Sequence, residues 1–280
     1  MVEENAGRPA LGNGIHFMSG LPRSGSTLLA AILRQNPRLH ANVASPVAGI
    51  FLAMLREMSA GESAIFIDDA QREAVLRGLF SSYYHAVDPL KTIVDSNRLW
   101  CAKLPAILRL FPGAKVICCV RDVPWIIDSI ERLVRENRYL ASRIFDYDPS
   151  GTVFSRADAM TAQGGLIGFA WHALKQAYYS EEADRMLVVR YESLTADPAR
   201  VMAEIYAFAG LPDHVHDFEN VACDLREFDA RLAMPGLHDV RGKVTRRERT
   251  SVLPPDLFRR FTADSFWNDP SLNDRQVRVI

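Results

Sequence analysis

Short apolar runs alternate with longer stretches of helical periodicity, the pattern of a parallel sheet covered by helices. Four runs read as buried strands, at 15–19, 92–95, 115–121 and 186–191. Helical spacing predicts helices at 26–35, through a longer zone at 50–86, and at 105–110, 123–136, 163–182 and 198–209. Several of these open with proline near the first turn, where its missing N–H costs nothing. Strands joined by helical crossovers make βαβ units. The expected fold class is therefore α/β, a P-loop-containing parallel β-sheet flanked by helices on both faces. Residues 1–13 are acidic and polar, without the basic and apolar regions of a secretory signal, and read as a flexible leader. Residues 14–280 read as a single domain. The segment 139–163 breaks the rhythm with Asp146, Asp148, Pro149 and Gly151 among isolated aromatics. It reads as a lid or substrate loop, or equally as a surface excursion.

The first strand runs into Gly20-Leu-Pro-Arg-Ser-Gly25-Ser26-Thr27 and then into a helix, the layout of a phosphate-binding loop. Backbone N–H groups in such a loop converge on an anion, and the helix N-terminus adds a favourable dipole. The glycines have the spacing of G-x-x-x-x-G-K-[ST], but Ser26 occupies the lysine position. A loop without that lysine is poorly equipped to move a γ-phosphoryl group. Arg23 supplies the cation, and its guanidinium offers an oxyanion a fork of donors rather than a point charge.

Charge narrows the partners. Lys+Arg 33 against Asp+Glu 34 leaves no broad basic surface of the nucleic-acid-binding kind. No stretch approaches the roughly 20 apolar residues that span a membrane. Cys101, Cys118, Cys119 and Cys223 have neither metal-site nor disulfide-framework spacing. They read as reduced thiols, and the expected setting is a soluble protein of the cytoplasm.

A second anion site is suggested by the run Ala114-Lys-Val-Ile-Cys-Cys-Val120, which ends in Arg121-Asp122 and leads into a helix carrying Ser129. Arg121 stands at the carboxyl end of a strand, where ligands bind in open α/β sheets. Loop and Arg/Ser pair together resemble the sulfotransferase family that uses 3′-phosphoadenosine 5′-phosphosulfate. Pro22-Arg-Ser-Gly-Ser-Thr-Leu-Leu29 looks like its 5′-phosphosulfate loop, and Val120-Arg-Asp with Ser129 like its 3′-phosphate site. Phe111-Pro-Gly-Ala-Lys-Val-Ile and Arg190-Tyr191-Glu-Ser-Leu194 followed by Asp197-Pro198 match further landmarks, so the resemblance runs in order through about 14–250. The loop form is similar to the tyrosylprotein and Golgi-carbohydrate branches and to many bacterial enzymes.

The resemblance implies in-line transfer of a sulfuryl group to an acceptor hydroxyl, with 3′,5′-adenosine bisphosphate as the second product and no required metal. Arg23, Ser24, Gly25, Ser26 and Thr27 would hold the 5′ side of the donor and Arg121 and Ser129 its 3′-phosphate. Tyr191 would add a hydrogen bond, or be simple packing. A late glycine-containing basic loop is implied to fold over the donor. In the basic run from 236 to 260, with Arg241, Lys243, Arg246, Arg247 and Arg249, Lys243 after Gly242 is the preferred contact, against a solvated charge run.

The chain departs from the family at two places. The glutamate base of the tyrosylprotein branch has no counterpart in Ala41-Asn-Val-Ala-Ser-Pro46, and the lysine before the Phe-Pro landmark is Ser96 here. Arg98, or else Lys103, would supply the missing charge, Arg98 being nearer the strand end. Asp95, also at a strand end, is the first candidate base, burial raising its pKa; the alternative is an Asp95–Arg98 salt bridge or turn. His16, His40, His85, His172 and His238 are further candidates, each more often structural in such patterns. The acceptor stays open among a small molecule, a carbohydrate and a tyrosine peptide. Rival readings are a P-loop kinase and a catalytically inactive protein that binds adenosine bisphosphate.

Overall fold

The computed structural model describes residues 14–60, 62–148, 150–240, 242–246 and 248–280; the 1–13 leader, Arg241 and Arg247 lie outside the described residues. Six parallel strands form one sheet in the order β2-β3-β1-β4-β5-β6. They are β1 Ile15–Gly20, β2 Leu39–Ala41, β3 Thr92–Ser96, β4 Val116–Val120, β5 Met186–Arg190 and β6 Arg278–Val279. The four predicted strands are β1, β3, β4 and β5. The two that periodicity does not reveal are edge strands of three and two residues, too short to show alternation.

Side chains of the central strands alternate strictly between two apolar layers. Phe17, Ile93, Val116, Cys118, Val120 and Val188 enter one layer. Met18, Val94, Ile117, Cys119, Leu187 and Val189 enter the other. Both faces are covered, which is why these strands read as continuous apolar runs. The helices are α1 Ser26–Leu33, α2 Val47–Ser59, α3 Asp69–Tyr83, α4 Leu104–Leu110, α5 Val123–Glu136, α6 Val153–Thr161, α7 Leu166–Tyr178, α8 Tyr191–Ala196, α9 Pro198–Ala209, α10 Arg226–Arg231 and α11 Pro255–Arg260.

The helical zone at 50–86 is filled by α2, a 3₁₀ helix and α3. The chain turns extended at Ala60, and α3 restarts behind a capping box in which the Gln71 N–H donates to Asp68 Oδ1 at 2.7 Å. Segment 139–163 carries structure of its own, a 3₁₀ turn at Arg143–Phe145 and then α6. The predicted 105–110 helix is preceded by a 3₁₀ helix, Arg98–Lys103.

Strand order and register position the site. β1 has β3 on one side and β4 on the other, so successive crossovers leave the centre in opposite directions and open a crevice at the carboxyl ends. Gly20 of β1 is opposite Cys119 of β4, and Val120 is opposite Arg190 of β5. The Gly20 loop, Arg121 and Tyr191 therefore emerge side by side. Among the described residues no helix is long and apolar enough to cross a membrane.

His16 is fixed within this sheet. Its Nδ1 accepts the Lys115 backbone N–H at 3.1 Å. Burial, with Lys115 and Arg185 nearby, pushes its pKa down from 6.5 to about 4. The unfolded chain then binds a proton that the folded chain refuses, so stability is lost as pH falls from 6.5 toward 4. The expected contribution of His16 to that loss is about 3 kcal/mol. Denaturant unfolding across this window is expected to be less pH-dependent in His16→Gln than in the wild type; identical slopes would contradict the assignment.

Candidate active site

The loop is closed by β4. Gly20 has φ +105°, and a Cβ there would stand 2.1 Å from the Cys119 carbonyl oxygen, so no side chain fits. The Leu21 N–H donates to that carbonyl at 2.9 Å. Ser24 is buried, its hydroxyl 2.5 Å from the Leu21 carbonyl oxygen and 2.9 Å from that of Cys119. This hydroxyl staples the loop to the sheet, which leaves Ser24 only its backbone N–H to offer an anion.

Beyond it, α1 starts without a side-chain cap from Gly25, so its first N–H groups are uncommitted within the helix. The Ser26 and Thr27 hydroxyls are half-buried at that helix start. Gly25 has φ +92°, and a Cβ there would press to 2.9 Å from Tyr191 Cδ2. The Tyr191 ring, at the start of α8, thus backs the loop.

The two anion motifs meet. The Arg23 Nε–H donates to Ser129 Oγ at 3.1 Å, 106 positions apart in sequence. Arg121 lies with its guanidinium carbon 4.2 Å from the centre of the Tyr191 ring. Its Nε is buried without a hydrogen-bond partner, Glu192 Oε1 being 3.8 Å away.

A third guanidinium arrives from the basic run. Arg249 Nη2 is 2.8 Å from Asp128 Oδ2. Asp128 is fully buried on α5 and also accepts the Val252 N–H and the Ser251 hydroxyl. Arg249 Nε is buried without a hydrogen-bond partner. Burial first, and then the positive charge of Arg121, lowers the Arg23 pKa to about 10, with Arg249 adding to the effect. Three like charges are held together, two with buried donors unspent. An anion satisfies such a cluster.

Other sequence-predicted residues fall elsewhere. Asp95 is fully buried. The Trp100 Nε1–H donates to its Oδ1 at 2.7 Å, and the Tyr84 hydroxyl donates to its Oδ2. Burial raises its pKa, against the pull of Tyr84, Ser45 and Trp100. Among the described residues Asp95 has no ion pair with Arg98. Arg98 is exposed at the head of the 3₁₀ helix, and its backbone carbonyl accepts the Ser19 hydroxyl at 3.1 Å, beside the start of the loop. Lys243 is exposed and paired with Glu219 at 2.8 Å, so Arg249 rather than Lys243 stands in the arginine cluster.

Four of the histidines serve local structure or lie apart from the cluster. His16 accepts from the sheet. His172 Nδ1 is 2.7 Å from the Gly168 carbonyl oxygen and His85 Nδ1 is 2.8 Å from that of Ser82. His40 packs edge-on to Tyr84. His238 instead pairs with Asp229, Nδ1 to Oδ1 at 2.5 Å. Asp128 and Asp229 give no sequence signal, since neither sits in a motif.

The profile of the sulfotransferase family matches residues 16–216, a span that includes the loop, Arg121, Ser129 and Tyr191. The chain belongs to the sulfotransferase family. Protein-tyrosine sulfotransferase 1 of Danio rerio is 27% identical over 207 residues, covering 70% of this chain and 53% of that protein. Protein-tyrosine sulfotransferase 2 of Gallus gallus is 24% identical over 206 residues, covering 70% and 50%. The chain spans about half the length of these curated relatives. The sulfotransferase domain from the Curacin biosynthetic pathway shares the fold, with TM-score 0.50, 18% identity, and 95% and 91% of the two chains covered. Asp229, His238, Lys243 and Arg249 lie beyond the profile's last matched residue. Among the described residues no group of three or more His, Cys, Asp or Glu is placed to hold a metal ion.

Proposed function

We propose that the chain transfers the sulfuryl group of 3′-phosphoadenosine 5′-phosphosulfate to an acceptor hydroxyl by in-line displacement. The observation that carries this reading is the convergence of Arg23, Arg121 and Arg249 at a glycine-bounded loop, with the Nε of Arg121 and of Arg249 buried and without a hydrogen-bond partner. The donor supplies an activated sulfuryl group whose departure leaves negative charge on a phosphate oxygen. Arg23, the loop N–H groups from Ser24 and Gly25 onward, and the Ser26 and Thr27 hydroxyls hold the 5′ side and neutralise that charge. These donors are fixed before the reaction and cost no reorganisation during it. Arg121 and Ser129 hold the 3′-phosphate, Tyr191 fixes Arg121 beneath it, and Arg249 takes the role that sequence alone assigns to Lys243. Arg98 supplies the exposed cation at the β3 end, where the family has a lysine. Asp95, with both oxygens accepting, supports Trp100 and Tyr84.

Ser26 in place of the nucleoside-triphosphatase lysine speaks against the kinase alternative. Tyrosine is one acceptor class, supported by the two tyrosylprotein relatives; a sugar or small-molecule hydroxyl is chemically equivalent at the reacting atom. The free thiols of all four cysteines suit a reducing cytoplasm. A second reading, a binder without turnover, draws on the absence of a carboxylate at 41–46 and the commitment of Asp95. Incubation with sulfur-35-labelled donor and a panel of peptide, sugar and phenol acceptors decides between them. Labelled ester supports transfer; bisphosphate binding with no labelled product from any acceptor supports the binder.

Arg121→Ala is expected to weaken 3′,5′-adenosine bisphosphate binding about 10- to 100-fold, the scale of charged hydrogen bonds. Binding of adenosine 5′-monophosphate, which has no 3′-phosphate, should barely change. Equal losses for both ligands in calorimetric titration would remove Arg121 from the 3′-phosphate site.

A further inference from the structure

Asp229 and His238 form a buried carboxylate–imidazole pair that the family profile does not reach, 16–216 being its span. Asp229, on α10, is 1% exposed. Its Oδ2 accepts the His238 backbone N–H at 2.9 Å, and its Oδ1 is 2.5 Å from His238 Nδ1. A carboxylate facing Nδ1 fixes the proton on that nitrogen and leaves Nε2 with a free lone pair. Nε2 has no hydrogen-bond partner among the described residues, and the His238 side chain keeps 20% of its surface exposed.

The pair is anchored next to the arginine cluster. Met234 and Leu237 pack on Leu133 of α5, one turn beyond Ser129. Asn137 Nδ2, at the end of α5, donates to the Pro235 carbonyl at 3.1 Å. The Asp229 charge favours the Arg23 cation, against burial and the neighbouring arginines, so the pair lies within electrostatic reach of the cluster. A buried carboxylate spent on one histidine, whose outer nitrogen is free and which is held on the helix that carries Ser129, is the arrangement that orients a general base.

We infer that His238 is the general base of this sulfotransferase and that Asp229 is its positioning residue. The assignment rests on the sulfuryl-transfer reading above. Nε2 takes the proton of the acceptor hydroxyl as the acceptor O–S bond forms and the S–O bond to the 5′-phosphate breaks. The electron pair of the broken bond goes to the phosphate oxygen at the Arg23 loop, sulfur keeps its oxidation state, and the imidazolium returns its proton to solvent. This fills the place left by the missing glutamate at 41–46 and by the enclosed Asp95.

The test compares wild type, His238→Gln and Asp229→Asn with 4-nitrophenol and a tyrosine peptide as probe acceptors, alongside bisphosphate calorimetry and nitrogen-15 NMR of the imidazole. His238→Gln is expected to lower kcat about 10²- to 10⁴-fold with bisphosphate affinity unchanged. Asp229→Asn should lower kcat and shift the neutral imidazole toward the Nε2-protonated tautomer in the nitrogen-15 spectrum, because the acceptor that holds the Nδ1 proton is replaced by an amide. NMR should show the proton of the neutral imidazole on Nδ1 rather than Nε2, and the His238 signals moved by bisphosphate.

Wild-type kcat in His238→Gln, an Nε2-protonated tautomer, or His238 signals indifferent to saturating bisphosphate each overturns the base assignment while leaving transfer intact. A wild-type chain that binds bisphosphate but sulfates neither probe overturns transfer and base together.

Discussion

Arg23→Ala is expected to lower sulfuryl-transfer turnover about 10²- to 10³-fold, the scale of removing one preorganised donor from developing charge, without destabilising the unliganded chain. The asymmetry follows from the cluster. Arg23 sits at φ +55°, a left-handed conformation that costs free energy in a residue with a Cβ. Burial and the charge of Arg121 depress its pKa, so its cation is held against both desolvation and repulsion. What it returns to the unliganded fold is one hydrogen bond to Ser129. Alanine removes the repulsion with the bond, so the melting temperature without ligand should stay level or rise. The rise in melting temperature on adding 3′,5′-adenosine bisphosphate should shrink, because bound ligand stabilises in proportion to its affinity. A variant that melts lower without ligand yet keeps full turnover would mean that Arg23 is structural.

Asp95→Ala is expected to have the opposite profile, costing about 4 kcal/mol of stability, because two buried donors lose their acceptor and a cavity opens. The stranded groups are the Trp100 indole N–H, inside a fully buried ring packed 5.1 Å from Phe17 and 5.8 Å from Phe51 and Phe80, and the Tyr84 hydroxyl. The Tyr84 oxygen also accepts from Asn42 at 2.7 Å, so the loss reaches the segment after β2. Asp95→Asn keeps one good acceptor and should cost less. Since burial raises the Asp95 pKa in the fold, the folded chain holds this proton to higher pH than the unfolded chain does. Its share of stability is therefore full below the unfolded pKa and declines as pH rises toward the folded one, the reverse of the His16 effect. Denaturant unfolding of Asp95→Asn against pH checks the sign. A full-stability Asp95→Ala that has lost turnover would restore Asp95 as the base.

The parts of the site that the sequence makes legible are those where local geometry dictates residue type. Gly20 and Gly25 stand where φ is positive and a side chain would strike Cys119 or Tyr191, so their spacing carries the loop without any tertiary knowledge. Arg121 and Tyr191 follow continuous apolar strands, and a strand end in an open α/β sheet is where ligands gather. The strands themselves read clearly because both faces are buried. Tertiary placement is what the sequence withholds. Within the basic run, Lys243 and Arg249 look alike; only the burial of Asp128 on a distant helix draws Arg249 into the cluster and leaves Lys243 on Glu219. Asp95 and His238 likewise look alike as candidate bases, and it is Trp100 enclosing one and Asp229 orienting the other that separates them. The short strands β2 and β6 escape notice because two or three residues carry no period.

The most direct measurement is metal-free calorimetric titration with 3′,5′-adenosine bisphosphate and, in parallel, with ATP. Tight binding of the bisphosphate is expected, its 5′- and 3′-phosphates matching the Arg23 loop and the Arg121–Ser129–Arg249 site, with negligible binding of ATP. Tight ATP binding with no response to the bisphosphate would contradict it and return the loop to nucleoside-triphosphate chemistry.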